Sequence, residues 1–247
     1  WAANALSLAW FGLNALQPAT WVARRFGDEA ARALFAGVAA HSILRLDEPF
    51  SSAAAIGLLG AAHHDGWPFP AGGAGEIAKA MAAALEDLGG TIQTERPVDR
   101  LEDLPRSRLA LFDTSPGALE RVAAGRLPGA YREKLRNVRY GPSVFKVDLA
   151  LDGPIPWQNE DVAQAATVHL GGTFEEIEAS EAATARGELH PKPFVLLAQH
   201  SLFDRSRAPA GKHTVWAYCH VPHASTVDAS ETILGQIERY APGFRER

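Results

Sequence analysis

The chain has 247 residues, 47% hydrophobic and 21% charged, with a net charge of -5. That length gives one large domain or two smaller ones with cores of their own. The mildly acidic balance argues against a nucleic-acid partner, which needs a dense positive surface; Arg24-Arg25 and the Lys134 to Arg139 stretch read as short solvated faces.

A single cysteine, Cys219, rules out an intrachain disulfide or a multi-cysteine zinc site and suits a reducing, cytoplasmic setting. No stretch reaches the roughly 18 apolar residues of a membrane helix. The longest apolar run, Ala53 to Ala62, is rich in Ala and Gly and suits a packed helix. No basic segment followed by an apolar core reads as a signal peptide. The chain opens on Trp1 inside an apolar pattern and stops at Arg247 just after a helix, so both ends read as cuts in a longer protein.

Trp1 to Leu16 is apolar nearly all round, relieved by Asn4, Ser7 and Asn14, and Pro18 ends it. Such a helix is expected to be buried or to line a hydrophobic cavity. Thr20 and Asp28 are candidate caps for the next two helices, and Ser51 or Ser52 for a third through Ala62. His63 to Pro70 carries two prolines and reads as a shaped loop. Glycines 72, 73 and 75 open a predicted helix from about Glu76 to Leu88, closed by Gly89-Gly90. Short strands are predicted at Thr91 to Thr94 and Leu109 to Asp113.

Beyond Ala130 strands dominate. Ser143 to Leu151 alternates, placing Phe145, Val147, Leu149 and Leu151 on one face and Lys146 and Asp148 on the other. Gln164 to Leu170, Phe194 to His200 and Thr214 to Val221 are the other predicted strands. Thr173 with Glu176 forms a capping box for a helix to Arg186, and Asp228 with Glu231 resembles one for the last helix. The predicted class is α+β, or mixed α/β, with a mixed or antiparallel sheet.

Several residue groups suggest chemistry. Gly73-x-Gly75-x-x-Ala78, with Glu95 further on, matches a loose dinucleotide fingerprint, yet Trp67-Pro-Phe-Pro70 before it is no buried strand. A tight turn with close packing is the alternative. His63, His64 and Asp65 are consecutive, which suits cavity-lining loop residues better than convergent metal ligands, so no metal site is expected. Cys219 and His220 fall on opposite faces of a strand and cannot form a thiol–imidazole dyad. Trp216, Tyr218 and His220 share one face, which either looks into a ligand cavity or packs under a helix. Lys146 sits mid-strand beside Asp148, as a sheet-surface ion pair or as a cation held near a cofactor. No nucleophile elbow or P-loop is present.

Taken in order, these residues resemble a known superfamily. Pro70-Ala-Gly72-Gly73-Ala-Gly75-Glu76-Ile77, then Leu88-Gly89-Gly90-Thr91-Ile92, then Pro97-Val98, is similar to the flavin amine-oxidase and phytoene-dehydrogenase-like superfamily. Further stretches, Tyr140 to Asp148, Pro154 to Trp157, Val168 to Gly172 and Trp216 to Pro222, resemble a bacterial group of NAD(P)/FAD-dependent oxidoreductases. The resemblance implies FAD as cofactor, with Val98 at the adenine and Thr114, Ser115 and Pro116 in the turn beside the flavin nucleotide. It implies for Lys146 the catalytic role of the strand lysine that holds a water at the flavin. Trp67, Trp216, Tyr218 and His220 are the expected walls of a cavity for a small hydrophobic substrate.

The family's N-terminal glycine-rich pyrophosphate segment and its C-terminal flavin segment have no counterpart here. This chain by itself is therefore expected to be flavin-free and inactive. The expected organisation is helical substrate-domain structure over 1–62, part of an FAD domain over 63–126, and substrate-domain sheet and helices over 127–247. Two alternatives stay open: a non-catalytic module with an apolar cavity for a lipid-like ligand or partner, and a nucleotide-binding fold built on Gly73 and Gly75. Peripheral membrane contact and oligomeric state are open as well.

Overall fold

In the computed structural model, which describes residues 2–247, the alternating segment Ser143–Leu151 forms β1 and pairs antiparallel with β4, His213–Val221. β4 also pairs antiparallel with β3 (Val195–Ala198), and β3 with β2 (Thr167–Leu170). The result is a four-stranded sheet in the order β1-β4-β3-β2, and the class is α+β as expected. β2 and β3 are shorter than predicted because short 3-10 turns, Glu160–Gln164 and His200–Leu202, take their ends.

The period of two decides what each face buries. Leu151, Val215, Ala217, Cys219 and Val221 point to one side, flanked by Phe145, Val147 and Leu149, and pack against Ile233 and Ile237 of α9 (Ser230–Tyr240). Each large aliphatic buried this way is worth about 1.5–3 kcal/mol. A one-residue slip of β4 would turn the whole row to the other face, so the register is strongly specified. On the opposite side Leu196 and Phe194, with Trp216 and Tyr218, meet Phe35 and Val38 of α3 (Glu29–Ala39) and Phe174 and Ile177 of α8 (Phe174–Ala185). The sheet thus lies between α9 and a helical layer.

Several helix starts follow the sequence and others do not. Asp28 caps α3, its carboxylate accepting from Ala31 N at 3.1 Å. The Thr173–Glu176 capping box closes the start of α8 from both sides. Thr20, however, lies inside α2 (Ala19–Ala23), where Ser51 Oγ accepts from Ala19 N at 2.9 Å from 32 residues away. Ser51 and Ser52 therefore do not cap α4 (Ser51–Asp65). Ser51 Oγ donates to the carbonyls of Leu46 and Glu48, and Ser52 Oγ to those of Asn14 and Gln17. These are long-range ties that a local reading cannot see. α4 also runs on through His63 and His64, so the expected loop begins only at Gly66. At α9 Asp228 accepts from Ser230 N at 2.8 Å, while Glu231 pairs with Arg245 instead of closing a box.

The apolar N-terminal segment is a helix, α1 (Ala2–Ala15), but not a buried one. Leu6, Leu8, Trp10 and Leu13 are each at least 64% exposed. Only its end is enclosed: Asn14 and Ala15 are buried, and Arg25 donates to Asn14 Oδ1 at 2.6 Å. The expectation that this helix is buried or lines a cavity is corrected by that exposure; the helix touches α4 through one end, which leaves most of its surface uncovered.

Residues up to Glu76 together with Gly141–Arg247 form one compact unit, and Ile77–Tyr140 form a second. The second holds most of α5 (Gly75–Asp87), α6 (Pro116–Ala123) and α7 (Gly129–Arg136). Ser115 caps α6, and Glu120 on α6 accepts from Arg132 and Arg136 of α7 at 2.9 and 2.7 Å. Neither Thr91–Thr94 nor Leu109–Asp113 is a strand, contrary to the sequence reading. A strand is stabilised by ladder partners, and all four strands among the described residues belong to the first unit.

Candidate functional site

The face of the sheet turned toward the helical layer is only partly filled. Over β1 and β4 lies a cavity of about 890 Å³, lined by Lys146, Asp148, Trp216 and Tyr218 from the strands and by Trp67 and Phe69 from the loop after α4. A second cavity of about 710 Å³ lies between α3, α4 and β2. Both are lined by His41, Trp67, Phe69, Ala166 and Thr167, so they read as two lobes of one space. Volumes in this range suit small-molecule sites.

Antiparallel pairing explains the cluster on the first lobe. Lys146 stands opposite Tyr218 and Asp148 opposite Trp216, all four on one face. The Trp216 and Tyr218 rings stack, 6.0 Å apart and 7° from parallel. Lys146 is ion-paired to Asp148, and its ammonium lies 5.9 Å from the Trp216 ring centre. A rigid strand, a carboxylate and an indole face thus hold one cation at the rim of an apolar space. Burial, helped by the charge of Glu181, pushes the Tyr218 phenol up and keeps it protonated.

His220, the third aromatic of that face, lines neither lobe. It is buried with Glu181 of α8, Nδ1 lying 2.8 Å from Oε2, and its ring abuts Phe194 and Tyr218. The side chains are 1% and 2% exposed. The pair fastens α8 to β4 beneath the cavity floor.

Two other histidines, which the sequence reading did not single out, do face the space. His41, in the 3-10 turn Ala40–Ser42 after α3, points Nε2 at Nε2 of His169 on β2 across 3.1 Å. One imidazole must donate and the other accept, so the line between them holds one proton. Burial, and then the neighbouring His41, pull His169 down to about 4; burial, and then His220, lower His41. His169 is therefore neutral at pH 7. Glycine at residue 37 leaves its ring room: a Cβ there would lie 3.0 Å from His169 Nδ1, a tight contact. The only local signal was the polar residue within the apolar pattern of β2, since the partners lie 128 residues apart.

The Gly72-Gly73 turn belongs to the same lobe as Lys146. Gly72 N donates to Asp204 Oδ2 at 2.8 Å, and Gly72 O accepts from Arg207 Nη1 at 2.6 Å. Gly73, at φ +97, presents bare backbone to the guanidinium; a Cβ there would lie 2.5 Å from Nη1. A dinucleotide cradle needs free glycine amides at a strand–helix junction. Here the Gly72 amide is engaged by a carboxylate, the Gly73 amide by Pro70 O, and no strand feeds the turn. These residues do not fit a pyrophosphate; the glycines serve a tight turn and close packing.

The remaining predicted positions lie elsewhere. Val98, Thr114, Ser115 and Pro116 belong to the 77–140 unit, where Ser115 Oγ accepts from Ala118 N and Pro116 is the first residue of α6. His63 Nδ1–H donates to Leu59 O, and His64 meets Asp65 in the last turn of α4; no metal-binding cluster occurs among the described residues. Cys219 lies in the core on the α9 side, away from His220, with its thiol pushed up to about 12 by burial. No helix among the described residues is long and apolar enough to cross a membrane.

No family model matches the chain. Among curated proteins it is similar to the pyridine nucleotide-disulfide oxidoreductase domain-containing protein 2 of Mus musculus and of Rattus norvegicus. Each is 24% identical over 216 aligned residues, covering 72% of this chain and 37% of the relative. The chain thus spans little more than a third of the length of these relatives. The likeness is to oxidoreductase-domain proteins, in the broad sense.

Proposed function

We propose that this chain supplies the substrate cavity of an FAD-dependent, phytoene-dehydrogenase-like oxidoreductase that oxidises or desaturates a hydrophobic compound. The observation that carries the reading is the fixed cation, Lys146, at the rim of a two-lobed apolar space walled by Trp67, Trp216 and Tyr218. The distant likeness to oxidoreductase-domain proteins supports the redox class.

In this reading FAD, held by the whole protein, would supply the redox chemistry of the site. The present residues bind, orient and exclude water. The aromatic walls and the apolar lobe hold the substrate. Lys146, kept in place by Asp148 and the Trp216 face, positions a water at the reacting edge of the cavity. Val98 and the Thr114-Ser115-Pro116 turn are assigned to the nucleotide side of the cofactor. The Gly72-Gly73 turn offers no pyrophosphate site, and we expect no flavin on the 247 residues alone.

The test is a visible spectrum of protein purified from the whole reading frame beside this chain, followed by anaerobic titration with hydrophobic substrates. Flavin absorbance in the long protein only, bleached on substrate addition, supports the proposal. Lys146→Met should then slow reduction or reoxidation by about a hundredfold, the usual scale for a preorganised polar group at a reacting centre. Absence of flavin from the long protein, or an unaffected Lys146→Met, would overturn the assignment.

A further inference from the structure

The two lobes differ in charge, and that difference bears on the ligand. The lobe between α3, α4 and β2 is lined by Leu34, Val38, Leu58, Leu59, Val168 and Ile177, among others, and by no lysine, arginine or carboxylate. The first lobe carries Lys146, Asp148 and Arg207. Lys146 and Asp148 neutralise one another. Arg207 makes no ion pair among the described residues. Its nearest acid, Asp204, is outside the lining and accepts from Gly72 N, Ser206 N and Ser206 Oγ, although Arg207 helps keep it ionised at longer range.

The guanidinium is also tethered at one end. One donor is fixed on Gly72 O, and the bare backbone of Gly73 gives it room that any side chain would remove. The Arg207 side chain is exposed at the mouth of the lobe, and its planar fork suits bidentate recognition of a carboxylate. Resting on the reading of this cavity as a substrate site, we propose that its ligand is an amphiphile with a monoanionic carboxylate head. The carboxylate meets Arg207, and the aliphatic chain passes the His41–Trp67 waist into the apolar lobe. With Lys146 and Asp148 paired, Arg207 is the cation left at this lobe to meet one negative charge, with Asp204 as its more distant competitor. A diphosphate head would bring excess charge beside Asp148.

The proposal is tested by equilibrium titration of the full-length protein with decanoate and with 1-decanol, which share a chain length and differ in charge. Quenching of tryptophan fluorescence reports binding, since Trp67 and Trp216 line the space. Decanoate should bind at least about tenfold more tightly, the scale of one charge-assisted hydrogen bond. Arg207→Gln should abolish that preference and leave 1-decanol unchanged, while Arg207→Lys, which keeps the charge and loses the fork, should keep a reduced but measurable preference. If Arg207→Gln also loses 1-decanol, the turn has collapsed and Arg207→Lys decides: retained preference supports the proposal, and lost preference overturns it. Equal binding of the two probes by the wild type overturns it. So does farnesyl diphosphate binding more tightly than decanoate in an Arg207-dependent way, which assigns the head to a polyphosphate. Binding is read with or without flavin, so a missing flavin spectrum would end the redox reading and leave this test standing.

Discussion

Replacing Glu181 by alanine removes the partner of a histidine that is 1% exposed and walled by Phe194 and Tyr218. Water cannot take the place of the carboxylate without opening the joint between α8 and β4. Breaking a buried pair on one side costs about 3–5 kcal/mol. With a urea slope of about 3 kcal/mol per M for a domain of this size, the unfolding midpoint should fall by about 1–2 M. Glu181→Gln keeps an acceptor oxygen in place and should cost only about 1 kcal/mol. Replacing Glu181 and His220 together by leucine should recover most of the loss, because neither half is then left buried alone. Urea titrations of the four proteins give the answer. A Glu181→Ala protein within 1 kcal/mol of wild type, or a double replacement as unstable as the single one, would show that the pair does not hold this joint.

Two further outcomes follow from the cavity walls. His169 stays neutral down to about pH 4 in the folded state but takes up a proton near its ordinary 6.5 when unfolded. Stability is thus fully present above pH 6.5 and falls by about 1.4 kcal/mol per pH unit between there and pH 4. Urea midpoints across that window should show the slope, and His169→Gln should flatten it. Gly73→Ala forces a side chain into φ +97 against Arg207. The expected loss is about 1–3 kcal/mol together with weaker ligand binding, read by thermal melting and tryptophan quenching; an unchanged melt would refute the close seating of the guanidinium.

What could be read from the sequence was what depends on nearest neighbours. The alternation in Ser143–Leu151 and Thr214–Val221 specified both faces of β1 and β4, though not the pairing that sets Lys146 beside Trp216 and Tyr218. The Thr173–Glu176 box is a three-residue pattern and was equally plain. The failures share a cause: the deciding partner is far away in the chain. Ser51 serves Ala19 and Ser52 serves Asn14, so hydroxyls that look like local caps are clasps between helices. His41 and His169 meet across 128 residues, and Arg207 finds the Gly72 carbonyl across 135. Composition could not reveal that α1 is exposed, because an apolar pattern states what a helix can bury and not what is there to cover it.

The solitary thiol on β4 gives the molecule an internal clock. Cys219 is wholly enclosed, and with its acidity suppressed to about 12 the reactive thiolate is scarce at neutral pH. An alkylating reagent must therefore wait for the β4–α9 interface to part. Because the chain carries one cysteine, every labelled molecule records that same opening. Labelling rates against urea would report the local opening free energy at the centre of the sheet. Comparing them with and without ligand would show whether filling the cavity on one face slows the breathing of the other.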